Sequence, residues 1–192
     1  MVADFDEQAG DYPAAIRTLE AAIATNEELL GGFTGVLQAR LGWVLLHDGQ
    51  LERAETVYRS ALEAARRVRH TMALFQAQAG LAALHRFQGR DGDAVDAATE
   101  ALALYDAHGF PRFRNRIDPT ADLRACAALC CDVLAVIAAE RADQGQAAML
   151  LRRADGLRDG PYIAVPSLLQ HDIARARTST SAEVGDEALH SH

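Results

Sequence analysis

Apolar residues recur three or four positions apart through most of this 192-residue chain, and glycine or polar residues separate the periodic stretches. The pattern predicts helices at residues 2–9, 11–29, 32–48, 50–69, 71–88, 91–107, 119–142, 144–157 and 166–177. The segment 178–192 is polar and has no apolar period, which predicts a disordered tail. Because runs of β-branched residues are also absent, the sequence predicts an all-α fold.

Small residues recur at a nearly fixed interval along these helices. A glycine is followed by alanine five residues later and by a second alanine seven residues further on. The three sets are Gly10/Ala15/Ala22, Gly49/Ala54/Ala61 and Gly89/Ala94/Ala101, at offsets of 39 and 40 residues. The glycine suits the positive φ that ends one helix and turns the chain into the next, and the alanines let two helices approach closely. Self-similarity of this kind predicts an array of stacked helical hairpins.

The second set carries the fullest motif. Its motif positions are Leu41-Gly42, Gly49, Ala54, Tyr58 and Ala61. In this order and spacing they resemble the tetratricopeptide repeat. The third unit resembles it at Leu81, Gly89, Ala94 and Ala101, and a looser fourth unit has Leu134, Ala147 and Ala154, with Ala142 in place of the turn glycine. The period exceeds the ~34 residues usual for that repeat. In its longer period the chain is similar to the C-terminal repeat region of bacterial signal-transduction ATPases and antibiotic-regulatory-type transcriptional regulators.

The resemblance implies an α-solenoid of about four antiparallel helix hairpins. We expect a repeat domain over residues 1–177, with hairpins at 1–29, 32–69, 71–107 and 119–157 and a capping helix at 166–177. The first hairpin has only residues 2–9 for its first helix, several residues fewer than usual. A chain that begins partway into a longer array, a mis-assigned start codon and a tolerated edge hairpin each explain this, and the incomplete hairpin also favours self-association.

Composition narrows the choice of partner and compartment. All 19 basic residues are arginine, which favours a bacterial source with a GC-rich genome, and the net charge is -8 with a pI of about 5.3. An acidic chain is a poor match for nucleic acid, because duplex binding depends on neutralised phosphates. No apolar stretch approaches the ~20 residues needed to cross a bilayer. We therefore expect a cytoplasmic protein that binds neither nucleic acid nor membrane.

Three cysteines lie in one predicted helix. Cys126 and Cys130 share a helix face, but with Cys131 they form no Cys-x-x-Cys pair, and no histidine is near. We interpret them as small buried side chains, with a metal or redox role as the alternative.

The first helix of each hairpin lines the concave side of such arrays, and the partner-binding residues are expected there. The predicted concave positions are Val36, Ala39, Trp43 and His47 in the second hairpin and Gln76, Ala83, Arg86 and Phe87 in the third. Trp43 and Phe87 suit stacking on a side chain or sugar, and Arg86 suits a carboxylate. The alternative is that the two aromatic residues pack between hairpins.

The second candidate binding site is the longest connection between hairpins. Arg112, Arg114 and Arg116 alternate along it, so an extended backbone would direct three guanidinium groups to one side, toward a phosphate or an acidic partner. A solvated loop whose arginines pair with nearby acids is the alternative.

Catalytic motifs are missing from the sequence: it has no His-Glu-x-x-His, no phosphate-binding glycine loop and no Gly-x-Ser-x-Gly. We therefore predict a non-enzymatic scaffold, without a cofactor, that binds a peptide or partner domain through its concave face. The alternative is the effector-sensing segment of a bacterial transcriptional regulator, which would bind a small molecule.

Overall fold

The computed structural model describes residues 11–29, 33–108, 121–158 and 167–189, and in these ranges every regular element is an α-helix. The helices are α1 (Tyr12–Leu29), α2 (Thr34–His47), α3 (Leu51–Val68), α4 (Thr71–Phe87), α5 (Asp91–His108), α6 (Ala121–Glu140), α7 (Gln144–Leu157) and α8 (Ser167–Leu189). The bounds of α1 to α7 lie within two residues of those predicted. The predicted helix 2–9 falls outside the described residues.

Consecutive helices pair and the pairs stack. Helices α2 and α3, α4 and α5, and α6 and α7 form antiparallel hairpins, while α1 packs on α2. The first helices of the hairpins, α2, α4 and α6, also pack side by side, α2 against α4 and α4 against α6. We call these three the inner helices, their exposed side the inner face, and α3, α5 and α7 the outer helices. This arrangement confirms the predicted helical solenoid.

Each hairpin turn uses one residue in the left-handed region of φ. Gly49 (φ 77°) and Gly89 (φ 71°) do so in the first two turns, and Ala142 (φ 61°) does so in the third. In each turn the next amide donates to a carbonyl five residues earlier, for example Gln50 N to Leu45 O at 2.9 Å and Asp143 N to Ala138 O at 2.9 Å. The third turn thus keeps the shape of the others although an alanine occupies the position that favours glycine.

Tyr58 is a wedge between two inner helices. The side chain projects from α3 and is fully buried. A Cβ atom built on Gly42 of α2 would lie 2.6 Å from its ring, and one built on Gly80 of α4 would lie 2.1 Å from it. Both positions must lack a side chain, because the ring fills the space that a Cβ would need.

Alanine is the commonest residue in the buried core between the helices. Seventeen alanines among the described residues have no exposed surface at all. They are Ala15, Ala54, Ala61, Ala65, Ala73, Ala77, Ala79, Ala82, Ala83, Ala94, Ala98, Ala101, Ala127, Ala128, Ala135, Ala147 and Ala154. The helices therefore meet at short range, through side chains that barely extend beyond the backbone.

The last helix corrects the predicted tail. The predicted capping helix ends at residue 177, but α8 continues to Leu189, so the prediction of disorder from residue 178 is wrong for residues 178–189. Helix α8 packs on α6 and α7 and also reaches α4. Its buried stripe continues past Ala176 to Thr180, whose hydroxyl donates to the Ala176 carbonyl at 3.0 Å. A hydroxyl satisfied within its own helix can be buried at little cost, which a hydropathy pattern does not register.

Candidate partner-binding surface

The exposed side of α2 carries three of the predicted binding residues. Val36, Trp43 and His47 lie seven and four residues apart, so they share one face of the helix, and each is half-buried. Part of each side chain remains accessible, and Trp43 packs against the core cluster. The face is held in place by α1, α3 and α4, which pack around α2.

A ring cluster stands at the carboxyl end of this face. The ring centroids of Trp43 and His47 are 4.9 Å apart with an interplanar angle of 59°, and those of Tyr12 and His47 are 5.9 Å apart at 34°. Tyr12 was not predicted. It belongs to α1, and because α1 and α2 are antiparallel, the first residues of α1 lie beside the last residues of α2. We call Tyr12, Trp43 and His47 the ring cluster.

Burial lowers the pKa of two histidines on the inner helices. Burial lowers the pKa of His47, and its Nε2 atom has no hydrogen-bond partner among the described residues. Burial also lowers the pKa of His85 on α4, with Arg90 acting in the same direction, while Asp93 and Glu55 oppose the shift. Glu55 on α3 is the nearest carboxylate, with Oε1 3.9 Å from His85 Nε2.

These two shifts predict that the protein loses stability as the pH falls from 8 to 6. The folded chain binds protons at His47 and His85 less readily than the unfolded chain, so stability is full above the ordinary histidine pKa of about 6.5 and is lost as the pH falls through it. Urea unfolding at pH 8, 7 and 6 measures the slope. The double variant His47→Gln/His85→Gln should flatten it, because carboxylates titrate mostly below this range. An unchanged slope would contradict the assignment.

The α4 part of the predicted surface is more restricted. Gln76 is half-buried and Phe87 is 39% exposed, so both remain accessible on α4. Ala39 and Ala83 are 4% and 0% exposed and offer no surface to a partner. The structure corrects the prediction for these two: their small side chains lie where helices pack against each other.

Arg86 differs most from its predicted role. Its side chain is only 10% exposed. Nη1 donates to Asp91 Oδ1 at 2.8 Å, and Nη2 donates to Glu140 Oε1 at 2.6 Å and to Asp172 Oδ2 at 3.1 Å. The predicted carboxylate contact exists, but the carboxylates belong to α5, α6 and α8 of the same chain. In this structure Arg86 therefore joins four helices and is not open to a partner.

Charge is divided unevenly between inner and outer helices. Helices α2 and α4 contain no Asp or Glu at all. The acidic residues of α3 and α5 are Glu52, Glu55, Glu63, Asp91, Asp93, Asp96, Glu100 and Asp106. The first half of the inner face is thus free of carboxylates although the whole chain has a net charge of -8.

The remaining candidates are the cysteines and the three arginines of the long connection. Of the three cysteines interpreted as buried, Cys130 and Cys131 are buried and Cys126 is half-buried. Burial raises the pKa of Cys131 to about 11 and raises the pKa of Cys130 well above its usual range. The arginines 112, 114 and 116 lie outside the described residues.

In the ranges that the structure describes, no three or more His, Cys, Asp or Glu side chains are grouped so as to hold a metal ion. None of the helices described combines the length and the apolar character that crossing a membrane requires.

Comparison with known families gives one result that fits this geometry. The tetratricopeptide repeat matches residues 1–67 and residues 35–107, which together span residues 1–107, more than half of the 192. The match covers the hairpins α2/α3 and α4/α5, including the ring cluster and Tyr58. No curated protein matches the chain significantly.

Proposed function

Since the chain belongs to the tetratricopeptide repeat family, whose members generally mediate protein–protein interactions, we propose that it binds a peptide segment of a partner protein on its inner face. The family is typically a non-enzymatic scaffold. The absence of an enzymatic activity and the cytoplasmic location of this chain stay predictions.

The observation that carries the proposal is the ring cluster on α2. Trp43 offers a half-buried aromatic ring whose centroid lies 4.9 Å from that of His47 and which also packs against the core. Aromatic side chains held in this way often dominate binding energy, because little conformational entropy is lost when they are covered. Val36 extends the same face two turns away.

The charge of this face limits the partner. Because α2 and α4 carry no carboxylate, a basic peptide finds no counter-charge on them, whereas α5, which has five Asp or Glu residues and no Arg, would attract it to the outer side. We therefore propose a neutral or acidic segment that inserts an apolar or aromatic side chain beside Trp43.

Trp43→Ala should weaken binding of a selected peptide by at least about 30-fold, the loss typical of an aromatic anchor. The peptide is selected by display against the full-length chain, and its Kd is measured by fluorescence anisotropy. The matched control is Met149→Ala, since Met149 is 57% exposed on the outer helix α7; it should change the Kd less than twofold.

Thermal unfolding of the same variants separates binding from packing. If Trp43→Ala mainly lowers the Tm while the folded fraction binds normally, then Trp43 is a packing residue and the proposal fails. Equal losses of affinity in Trp43→Ala and Met149→Ala would also contradict it.

A regulatory role is the second candidate. The outer helices α3 and α5 are each 18 residues long, which accounts for the interval of 39 to 40 residues that also marks the repeats of the bacterial regulators. We propose that such a segment would sense a small effector, and thermal-shift screening against sugars and nucleotides tests this. Self-association through the first hairpin also stays a prediction, which sedimentation over a range of concentrations would test.

A further inference from the structure

We propose that α8 is an exchangeable helix: the end of the inner face around Arg86, together with the adjoining surface of α7, is a docking site for an amphipathic helix that carries a carboxylate beside its apolar stripe, and α8 occupies this site in cis. The inference rests on the proposed function only in assigning the inner face to partners. It concerns the end of that face farther from the ring cluster.

The anchor of α8 is electrostatic. Arg86 contacts Asp172 of α8 at 3.1 Å, and Arg175 of α8 donates to Glu140 of α6 at 3.0 Å. Arg175 also donates to Asp172 at 3.0 Å. Glu140 thus accepts from both arginines, and the whole cluster ties α8 to α4 and α6. Arg175 and Glu140 are exposed, so dissolved salt reaches and screens the cluster.

Apolar contact adds little to this anchor. In residues 169–181, where the structure describes the side chains of α8, only Leu169, Ile173, Ala176 and Thr180 are buried. The inner helix α4 buries ten residues by comparison. Over residues 169–181, α8 is held by two large apolar side chains, the ion cluster and the exposed Arg177–Asp155 pair with α7. A helix held in this way is released far more easily than one built into the array.

The carboxyl half of α8 is also a weak helix on its own. Thr178, Ser179, Thr180 and Ser181 follow one another, and each hydroxyl bonds to a carbonyl of the preceding turn, for example Ser181 Oγ to Arg177 O at 2.9 Å. Such residues have low helix propensity and offer the backbone alternative hydrogen bonds. Docking onto α6 and α7 therefore supplies much of the order of α8.

Arg86 can still bind a carboxylate after α8 is released. Arg86 has a side chain that is 10% exposed, and its Nε–H has no hydrogen-bond partner among the described residues. Release of α8 removes Asp172 from this guanidinium and uncovers apolar surface on α6 and α7. A buried arginine beside apolar surface selects a helix with a carboxylate at the position of Asp172, and the nearest probe with that chemistry is α8 itself, supplied in trans.

Hydrogen exchange of the full-length chain tests the release. We expect amides of residues 169–180 to exchange about tenfold faster in Asp172→Lys than in the unmodified chain at low salt, and the unmodified chain to approach that rate in 1 M NaCl. Amides of α2 to α5 should not change. The matched control Glu20→Gln removes the exposed ion pair with Arg53, remote from α8, and should have no effect on α8.

Two outcomes of that experiment would overturn the inference. One is an α8 exchange rate that is the same in all chains and salts. The other is loosening of α8 only together with α2 to α5, which would mean global unfolding. If Asp172→Lys fails to fold, as judged by circular dichroism, Asp172→Asn provides the same comparison with a smaller expected change.

A labelled peptide of residues 167–189 tests the docking site. We expect it to bind the full-length Asp172→Lys chain at least tenfold more tightly than the unmodified chain, whose own α8 competes at high effective concentration. Adding Arg86→Gln to that chain should remove the gain. Equal binding to both chains, or no binding to either, refutes the docking site while leaving peptide binding at Trp43 unaffected, so the two proposals fail separately.

Discussion

Gly80→Ala should destabilise the protein by about 3 kcal/mol or more, a lowering of the Tm by about 6 to 12 °C for a chain of this length. The new Cβ would lie 2.1 Å from Tyr58 Cζ and 2.4 Å from Tyr58 Oη. The ring is fully buried and cannot move into solvent, so either it leaves its rotamer or α4 separates from α3. Thermal unfolding followed by circular dichroism measures the effect.

A matched glycine distinguishes this clash from a general effect of Gly→Ala. Gly156 lies in α7 and is exposed, and a Cβ atom added to it would have no neighbouring atom within 4 Å. Gly156→Ala should therefore leave the Tm unchanged or raise it slightly, because alanine favours the helix by up to ~1 kcal/mol. The double variant Tyr58→Leu/Gly80→Ala should lose less stability than the two single variants lose in sum, since both substitutions act at one contact. Strict additivity would show that the wedge is not the cause.

Arg158→Met should destabilise the protein by about 3 to 5 kcal/mol, because it leaves a buried carboxylate without its counter-ion. Asp132 on α6 is 0% exposed, and it forms an ion pair with the guanidinium of Arg158, which follows α7 directly. The pair therefore joins the two helices of the last hairpin from inside. Urea unfolding measures the loss.

The double variant Asp132→Asn/Arg158→Met should recover part of the stability, because the unpaired charge is then removed as well. The control is Arg177→Gln. Arg177 pairs with Asp155 at 2.6 Å and 3.0 Å, but both side chains are more than a third exposed, so the loss should stay below about 1 kcal/mol. Similar losses for Arg158→Met and Arg177→Gln would contradict a special role for the buried pair.

The sequence was sufficient for the stacking of the hairpins because that stacking depends on local signals. Gly49 and Gly89 mark turns by their own backbone freedom, and Ala54 and Ala61 mark a close-packed helix face by their spacing. Ala142 was predicted to stand in the turn, and it does so with a positive φ. The wedge was only half anticipated: Tyr58 and Gly42 belong to the repeat motif, whereas the contact with Gly80 depends on how far one hairpin is rotated against the next.

The binding surface was harder to predict, because its chemistry depends on residues far apart in the chain. Arg86 was placed on the inner helix correctly, yet Glu140 and Asp172, which are 54 and 86 positions away, determine what it binds. Ala83 shares the predicted face but is covered by its neighbours. Helical spacing identifies the face of a helix, and only the packing of other helices determines which positions on that face remain open.

The alanine-lined interior also determines how this chain tolerates inherited change. Alanine has almost no side chain to lose, so the damaging substitutions are those that enlarge it. One base change converts any alanine codon into a valine codon, and two added methyl groups between touching backbones typically cost about 1 to 3 kcal/mol. We therefore expect substitutions to be tolerated at the exposed positions of the helices, while the alanines at the contacts between helices leave no room for anything larger.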